Sequence, residues 1–528
     1  MYRMLSVYAG AEDVTIRNRR NAPSQALNES GIPHYELCIA FSTVLRYNIW
    51  YNHSYSELTM KIQLEQYFAG KSVTLLGAGV SNMPLAEVCA KCAKSLTVRD
   101  MKSAEQLGEN GRRLTEMGAA IVSGEGYLRG ITDDLVFRSP GIRPDLPELG
   151  ENSTLTSEME LFLSWKPCPV YAITGSDGKT TTTTLTSLML KAGIESAGHG
   201  KVFLGGNIGE PLLHRYPLIT ENDAVAVELS SFQLMTIDAP VAVAAITNLS
   251  PNHLNWHTGM DEYVWAKKRI LAHCGRAVLN YDNDITREIG LELQKTETPV
   301  TWFSLDAIPG GVLRDCDSAV WLENDTVYAS FPGEGVTEIM ARRDIKLPGI
   351  HNTANYLTAI AVTWGVPSCE QIREIARTFG GVEHRLEFVR ELDGVTYING
   401  SIDSSPTRTA AALSALNDRP VVLIAGGSDK GIPYEPLADA VYASTVHTLV
   451  LTGETAPKVK AAIQSHPDYG TRPLTLIEND DFAGAVSDAK AHAKSGDTVI
   501  LSPAAASFDK FRNFEERGRV FKNLVHAF

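Results

Sequence analysis

The 528-residue chain is predicted to be an α/β protein of three domains built on largely parallel sheets. Three observations carry this. Short apolar runs recur along the chain with helix-like stretches between them, the pattern of βαβ units. Glycine turns follow the runs at Ser72–Leu76 and Val170–Ile173, where a strand hands over to a helix. The length is too great for one core and fits about three units of roughly 100–200 residues each.

Residues 1–59 mix Arg17-Asn-Arg-Arg20 with aromatic residues between Tyr47 and Tyr55 and hold no sustained period. They read as an extension: a start-site artefact ahead of Met60, a disordered tail, or a segment that meets a partner, with the first two preferred because no amphipathic or ligand-like pattern appears. Residues 60–157 open with the strand Ser72–Leu76, the turn Gly77-Ala-Gly79 and a helical stretch to Cys92, then a second strand ending at Asp100. This is the opening of a Rossmann-like domain, but the third glycine of the dinucleotide fingerprint is absent, since Asn82 is followed by Met83-Pro84. Asp100 is either a contact to a nucleotide ligand or a local cap. Residues 158–381 hold the runs Val170–Ile173, Ala224–Leu229 and Val241–Thr247, which predict a central parallel sheet of P-loop ATPase type. The texture changes at Phe379-Gly-Gly381, and residues 382–528 alternate the strands 421–424, 448–451 and 498–501 with helices, a second Rossmann-like domain.

The strand 170–173 leads into Gly175-Ser-Asp-Gly-Lys-Thr180, followed by Thr181. A glycine turn opening a helix aims unpaired N–H groups and the positive dipole end at phosphate oxygens. Lys179 would neutralise phosphate charge and the Thr180 hydroxyl would reach magnesium, although the glycines lie two residues closer than in the usual spacing. Glu228 and the segment leading to His253 fall at the C-terminal ends of predicted strands, where open parallel sheets bind ligands, so both should meet the phosphate loop. Magnesium takes oxygen ligands shared with substrate phosphates, which makes Glu228 a fitting partner for Thr180.

A formal charge of −14 argues against a nucleic-acid partner. Seven cysteines without a framework fit a reducing compartment, and Cys89-x-x-Cys92 reads as helix packing. No run approaches the roughly 20 apolar residues of a membrane span, and no secretory signal is present. The expectation is a soluble cytoplasmic protein without a membrane partner.

Eight motifs occur in one order: Gly-Ser-Asp-Gly-Lys-Thr, Gly205-Gly-Asn-Ile-Gly209, Glu228-Leu-Ser-Ser-Phe-Gln233, Asn248-x4-His253, Ala266-Lys-x-Arg-Ile270, Gly349-x-His-Asn-x-x-Asn355, Glu383-His-Arg-Leu-Glu387 and Leu501-Ser-Pro-x3-Ser-Phe-Asp-x-Phe-x-Asn-Phe514. Together they resemble the Mur ligases over residues 60–528, and the last block resembles the D-glutamate-adding branch.

The resemblance implies ATP-dependent amide formation between UDP-N-acetylmuramoyl-L-alanine and D-glutamate through an acyl phosphate, by a monomer using two magnesium ions. It implies that Gly175, Ser176, Asp177, Gly178, Lys179, Thr180 and Thr181 cradle ATP, with Asn352 and Asn355 at the adenine and Arg385 reaching the γ-phosphate across the hinge. Thr180 and Glu228 would hold the first metal; His253 and a carbamylated Lys267 would serve the second. Lys179, His253, Lys267 and Arg385 thus form the catalytic set. Ser81, Asp100, Asn207, Ser230 and Gln233 match nucleotide-sugar contacts, and Lys430, Ser507 and Phe508, with Ser404 and Phe514 less closely, match D-glutamate contacts.

The chain departs from the family pattern in two places. Gly400 stands where some relatives carry an aspartate that meets the ATP ribose, with Ile402 in place of a lysine; Asp403 or a neighbouring group is expected to take over the ribose contact. Asn252 and Asn255 replace aspartates around His253. Alternative readings are a sibling ligase adding L-glutamate or another amino acid, a folylpolyglutamate-type synthetase, a nucleotide-sugar-binding homologue that has lost catalysis, and, from Gly77-Ala-Gly79 alone, a nicotinamide oxidoreductase.

Overall fold

The structure, a computed structural model, describes residues 64–528 apart from 147, 255, 310, 348, 417, 418 and 430. The expectations for the extension 1–59, Asn255 and Lys430 lie outside the described residues.

Among the described residues, twenty strands form three sheets. The first has β1 (Ser72–Leu76), β2 (Ser95–Asp100), β3 (Ala120–Ser123), β4 (Leu135–Arg138) and β5 (Thr154–Thr156) in the order β3-β2-β1-β4-β5, all parallel. The chain order reverses between β1 and β4. The ligand crevice of such a sheet lies at that switch point, and here Asn82 Nδ2 spans it to Ser139 Oγ at 3.1 Å.

The central sheet contains β6 (Val170–Thr174), β7 (Val202–Gly206), β8 (Ala224–Glu228), β9 (Val241–Ile246), β10 (Cys274–Asn280), β11 (Val300–Ser304), β12 (Ser318–Glu323), β13 (Thr326–Ser330) and β14 (Thr337–Ala341). Its order is β14-β13-β12-β11-β10-β9-β6-β8-β7, parallel from β7 to β12 and antiparallel beyond. Strands β6, β8 and β9 are buried at every residue, which explains their unbroken apolar runs. The reversal of order falls at β6, between β8 and β9, so the phosphate loop leaves the sheet at its switch point.

The third sheet comprises β15 (Glu387–Leu392), β16 (Val395–Asn399), β17 (Val421–Ala425), β18 (Val446–Leu451), β19 (Thr475–Glu478) and β20 (Thr498–Leu501), ordered β15-β16-β20-β17-β18-β19 with only β15 antiparallel. An isolated bridge between Ser428 and Ala506 joins the loops after β17 and β20.

The cores reveal which sheets share a body. One apolar cluster runs without a break from Val73 and Phe137 of the first sheet to Val227 and Ile246 of the central one. The third sheet has its own core on each face, drawn from residues beyond 385. Gly381 (φ 115°), His384 (φ 65°) and Leu386 (φ 45°) turn the chain sharply between these bodies. Among the described residues no helix is long and apolar enough to cross a membrane.

Candidate active site

The loop after β6 is shaped by two glycines. Gly175 has φ 148° and a Cβ there would lie 1.9 Å from Thr247 Oγ1; Gly178 has φ 75° and a Cβ would lie 2.3 Å from Asn355 Oδ1. No other residue fits either place. The helix Lys179–Ile194 starts at Gly178 without a side-chain cap, leaving the first-turn amides for a ligand. The segment after β9 clasps the loop from the side: Asn248 Oδ1 accepts from Asp177 N at 2.9 Å, and Ser176 Oγ meets Ser250 O at 3.0 Å and Tyr263 Oη at 2.9 Å.

Lys179, Glu228, His253 and Lys267 meet at this edge. Lys179 Nζ folds onto Ser176 O at 2.8 Å, and burial lowers its pKa against the pull of Glu228 and Asp177. Lys267, on the helix Met260–Lys268, donates to Gly175 O at 2.8 Å and Thr174 Oγ1 at 3.0 Å beneath the loop. Burial, then the Lys179 charge, holds its pKa well below the ordinary lysine value. Desolvation, followed by the Lys179 and Lys267 charges, lowers the His253 pKa. His253 takes a left-handed φ of 54° and its ring lies 5.0 Å from that of Phe232.

Glu228 is buried, with Oε1 accepting from Asn207 Nδ2 at 2.7 Å and Oε2 without a hydrogen-bond partner. A buried carboxylate oxygen left unpaired is costly. A hard cation would satisfy it, and the nearby donor set of Thr180 hydroxyl and Glu228 carboxylate is the oxygen chemistry magnesium takes. The residues present therefore fit the metal. The Lys267 amine does not suit such an ion unless it is converted to an oxygen donor.

From the third body, Arg385 Nη1 donates to Thr180 Oγ1 at 2.7 Å. Asn355 Oδ1 accepts from Thr182 Oγ1 at 3.2 Å and its Nδ2 donates to Asn352 Oδ1 at 3.1 Å, so this asparagine packs under the loop. Thr181 is partly exposed beside it.

The expected nucleotide-sugar residues fall in two groups. Asp100 accepts from Ala78 N at 3.0 Å and Lys102 N at 3.0 Å, tying the glycine turn of the first sheet, and Ser81 sits in that turn. Ser230 and Gln233 cap the short helix Ser231–Leu234 reciprocally, and Asn207 braces Glu228. Of the D-glutamate candidates, Ser507 and Phe508 follow β20 at the C-terminal edge of the third sheet, where Ser507 is buried and Phe508 is 73% exposed.

Asp403 stands at the same edge. Ser502 Oγ donates to its Oδ2 at 2.9 Å, and burial raises its pKa to about 6. A Cβ on Gly400 would come within 2.7 Å of that Oδ2, so the carboxylate fills the space a side chain at 400 would need.

Sequence reading passed over Asn280 and Asn283, which follow β10 at the same edge. Asn280 Nδ2 donates to Thr247 O at 2.9 Å, and Asn283 bonds both Leu249 N and Leu249 O, at 3.3 and 3.1 Å. The signal was present: an apolar strand ending in Asn280-Tyr-Asp-Asn283.

A phosphate loop at a switch point, a buried carboxylate with one unpaired oxygen and an arginine reaching in from a second body define a nucleotide-using enzyme. The model of the Mur ligase middle domain matches residues 173–363, and that of the Mur ligase glutamate ligase domain matches residues 384–505. The chain belongs to the Mur ligase family. It is 42% identical over 480 residues to the UDP-N-acetylmuramoylalanine–D-glutamate ligase of Ruminiclostridium cellulolyticum, covering 88% of this chain and 99% of the relative. With the protein of the same name from Acetivibrio thermocellus it shares 43% identity over 469 residues, covering 87% and 96%. Among solved structures, the UDP-N-acetylmuramate-alanine ligase of Thermotoga maritima aligns at 16% identity with a TM-score of 0.48, covering 87% of this chain and 99% of that one.

Proposed function

We propose that this chain is the ATP-dependent ligase that adds D-glutamate to UDP-N-acetylmuramoyl-L-alanine in cytoplasmic peptidoglycan precursor synthesis. The observation that carries the reading is the meeting of Lys179, Glu228, His253 and Lys267 at one sheet edge with Arg385 on the Thr180 hydroxyl. Relatives at 42–43% identity over nearly their full length bear the name of that activity.

The alanyl carboxylate oxygen attacks the γ-phosphorus of ATP, the bond to the bridging oxygen breaks, and ADP leaves. The D-glutamate amine then attacks the acyl carbon; inorganic phosphate departs and the amine proton is lost. Catalysis of both steps is chiefly positioning and charge neutralisation. Lys179 would exchange the Ser176 carbonyl for β- and γ-phosphate oxygens, and Arg385 would pass from Thr180 to the transferred phosphoryl group. Residues Gly175 to Thr181 supply the cradle. Thr180 and Glu228 would hold one magnesium ion, and His253 with Lys267 as its carbamate would hold a second. Bound there, the ions neutralise phosphate charge.

Asn352 and Asn355 border the adenine, with Asp403 at the ribose. Ser81, Asp100, Asn207, Ser230 and Gln233 face the nucleotide-sugar; Lys430, Ser507 and Phe508 hold D-glutamate. Purified protein with ATP, magnesium, UDP-N-acetylmuramoyl-L-alanine and D-glutamate should yield a product heavier by one glutamyl residue. Absence of that product, with nucleotide-sugar bound and unchanged, would favour the binding-protein alternative.

A further inference from the structure

A chain of polar contacts outside the residues assigned above joins the first sheet to the helix that carries Lys267. Arg143, in the segment after β4, gives Glu262 two hydrogen bonds, from Nη2 to Oε1 at 2.9 Å and from Nη1 to Oε2 at 3.2 Å. Its Nη1 also donates to Trp256 O at 3.0 Å, its Nε binds Asp145, and the guanidinium lies over the Trp256 ring. Trp256 Nε1 returns a bond to Gly141 O at 3.0 Å. Glu262 Oε2 accepts from Thr258 N at 2.9 Å and meets His257 Nδ1 at 3.1 Å. His257 is 3% exposed, and its Nε2 meets Ser231 Oγ at 2.9 Å. With Nδ1–H donating to Glu262, Nε2 is left to accept from the Ser231 hydroxyl, the pairing that suits a neutral imidazole.

Glu262, His257 and Ser231 each border a residue of the proposed chemistry, and Arg143 reaches it through Glu262. Glu262 opens the helix Met260–Lys268 on which Tyr263 meets Ser176 and Lys267 meets Gly175. The His257 ring stacks on Phe232, which also packs against His253. Ser231 sits between Ser230 and Gln233, three positions beyond Glu228. A fork-to-carboxylate pair fixes distance and angle together, which a single contact does not.

We infer that Arg143, Glu262, His257 and Ser231 act as positioning residues that brace the Lys267 helix and the His253 loop against the first sheet, setting the span between nucleotide-sugar and phosphate loop. The inference rests on the ligase reading. Four of the five Arg143 N–H donors are taken by Asp145, Trp256 O and Glu262, so the arginine works chiefly through Glu262. The Arg143-to-Glu262 link locks geometry for chemistry and leaves the phosphate loop's own grip on ATP alone.

The test uses full-length Arg143→Ala, Glu262→Gln and the double variant, with kcat, KM for ATP and thermal unfolding measured alongside wild type. Each single variant should lose about tenfold or more in kcat, with KM for ATP changed less than about twofold. The double variant should be no worse than the poorer single, because both cut one link. Arg143→Lys, which keeps the charge but loses the fork, should fall between. If Arg143→Ala fails to fold, Glu262→Gln and Arg143→Lys decide. Folded variants with unchanged kcat, losses that multiply in the double, or equal losses in kcat and ATP affinity overturn the inference. A wild type that releases no phosphate with these substrates sinks the ligase reading instead.

Discussion

Lys267 Nζ donates to the carbonyl oxygen of Gly175 at 2.8 Å, so the lysine supports the first residue of the phosphate loop from below. A buried cation beside a second cation, Lys179, is driven toward its neutral form, the form in which an amine would react with carbon dioxide. Lys267→Ala should lower kcat by about a hundredfold or more. Stripping bicarbonate from wild-type buffer should lower activity reversibly. A carbonyl resonance from 13C-labelled bicarbonate, present in wild type and missing in the variant, checks the modification; its absence from both would contradict it.

Arg385 connects the third body to Thr180 across an exposed contact. Such a contact adds roughly 0–1 kcal/mol to stability, so Arg385→Ala should melt within a few degrees of wild type. Its kcat should nonetheless fall by about a hundredfold, since transition-state charge loses a donor. Steady-state kinetics beside calorimetry separates the two effects.

Asp403 carries a pKa of about 6, raised by burial from the ordinary carboxylate value of 3.8. A raised folded-state value favours the protonated form, so the group's favourable contribution is complete below the unfolded value and is lost as pH rises through 6. Asp403→Asn, which can still accept from Ser502, should therefore stabilise the protein at pH 8 by up to about 3 kcal/mol, and the gain should vanish near pH 4. Chemical denaturation at both pH values reads this directly. The same variant should raise KM for ATP if Asp403 meets the ribose, whereas an unchanged KM would remove it from the nucleotide site.

Gly400→Ala should destabilise by about 1–3 kcal/mol. A Cβ there meets Asp403 Oδ2 at 2.7 Å and Leu501 O at 2.8 Å. Adding Asp403→Ala should recover part of the loss, because the carboxylate clash disappears and the backbone one stays. A full recovery, or none, would contradict this packing.

The sequence made the sheet edge readable where buried strands end in polar residues: β6 runs into Gly175, and β8 stops at Glu228. Continuous burial writes an unbroken apolar run, and its end marks the ligand edge. Lys267 was distinguishable from Lys268 only by family resemblance, since both are lysines in one helix and only the fold buries the first. The hairpins β12–β14 gave weak signals because β12 and β14 mix buried, partly buried and exposed positions without strict alternation, so neither an unbroken apolar run nor a clean period of two is written along them. The Arg143–Glu262 pair spans 119 positions and leaves no local pattern at all. Asp403 beside Gly400 was visible as an oddity, but that one occupies the other's side-chain space required coordinates.

The most direct measurement of the central claim is inorganic phosphate release from ATP with UDP-N-acetylmuramoyl-L-alanine and each glutamate enantiomer in turn. Sustained release stoichiometric with amide product in D-glutamate, and none above background with L-glutamate or without the nucleotide-sugar, is the predicted result. Equal turnover with L-glutamate, or release that ignores the nucleotide-sugar, would contradict the account.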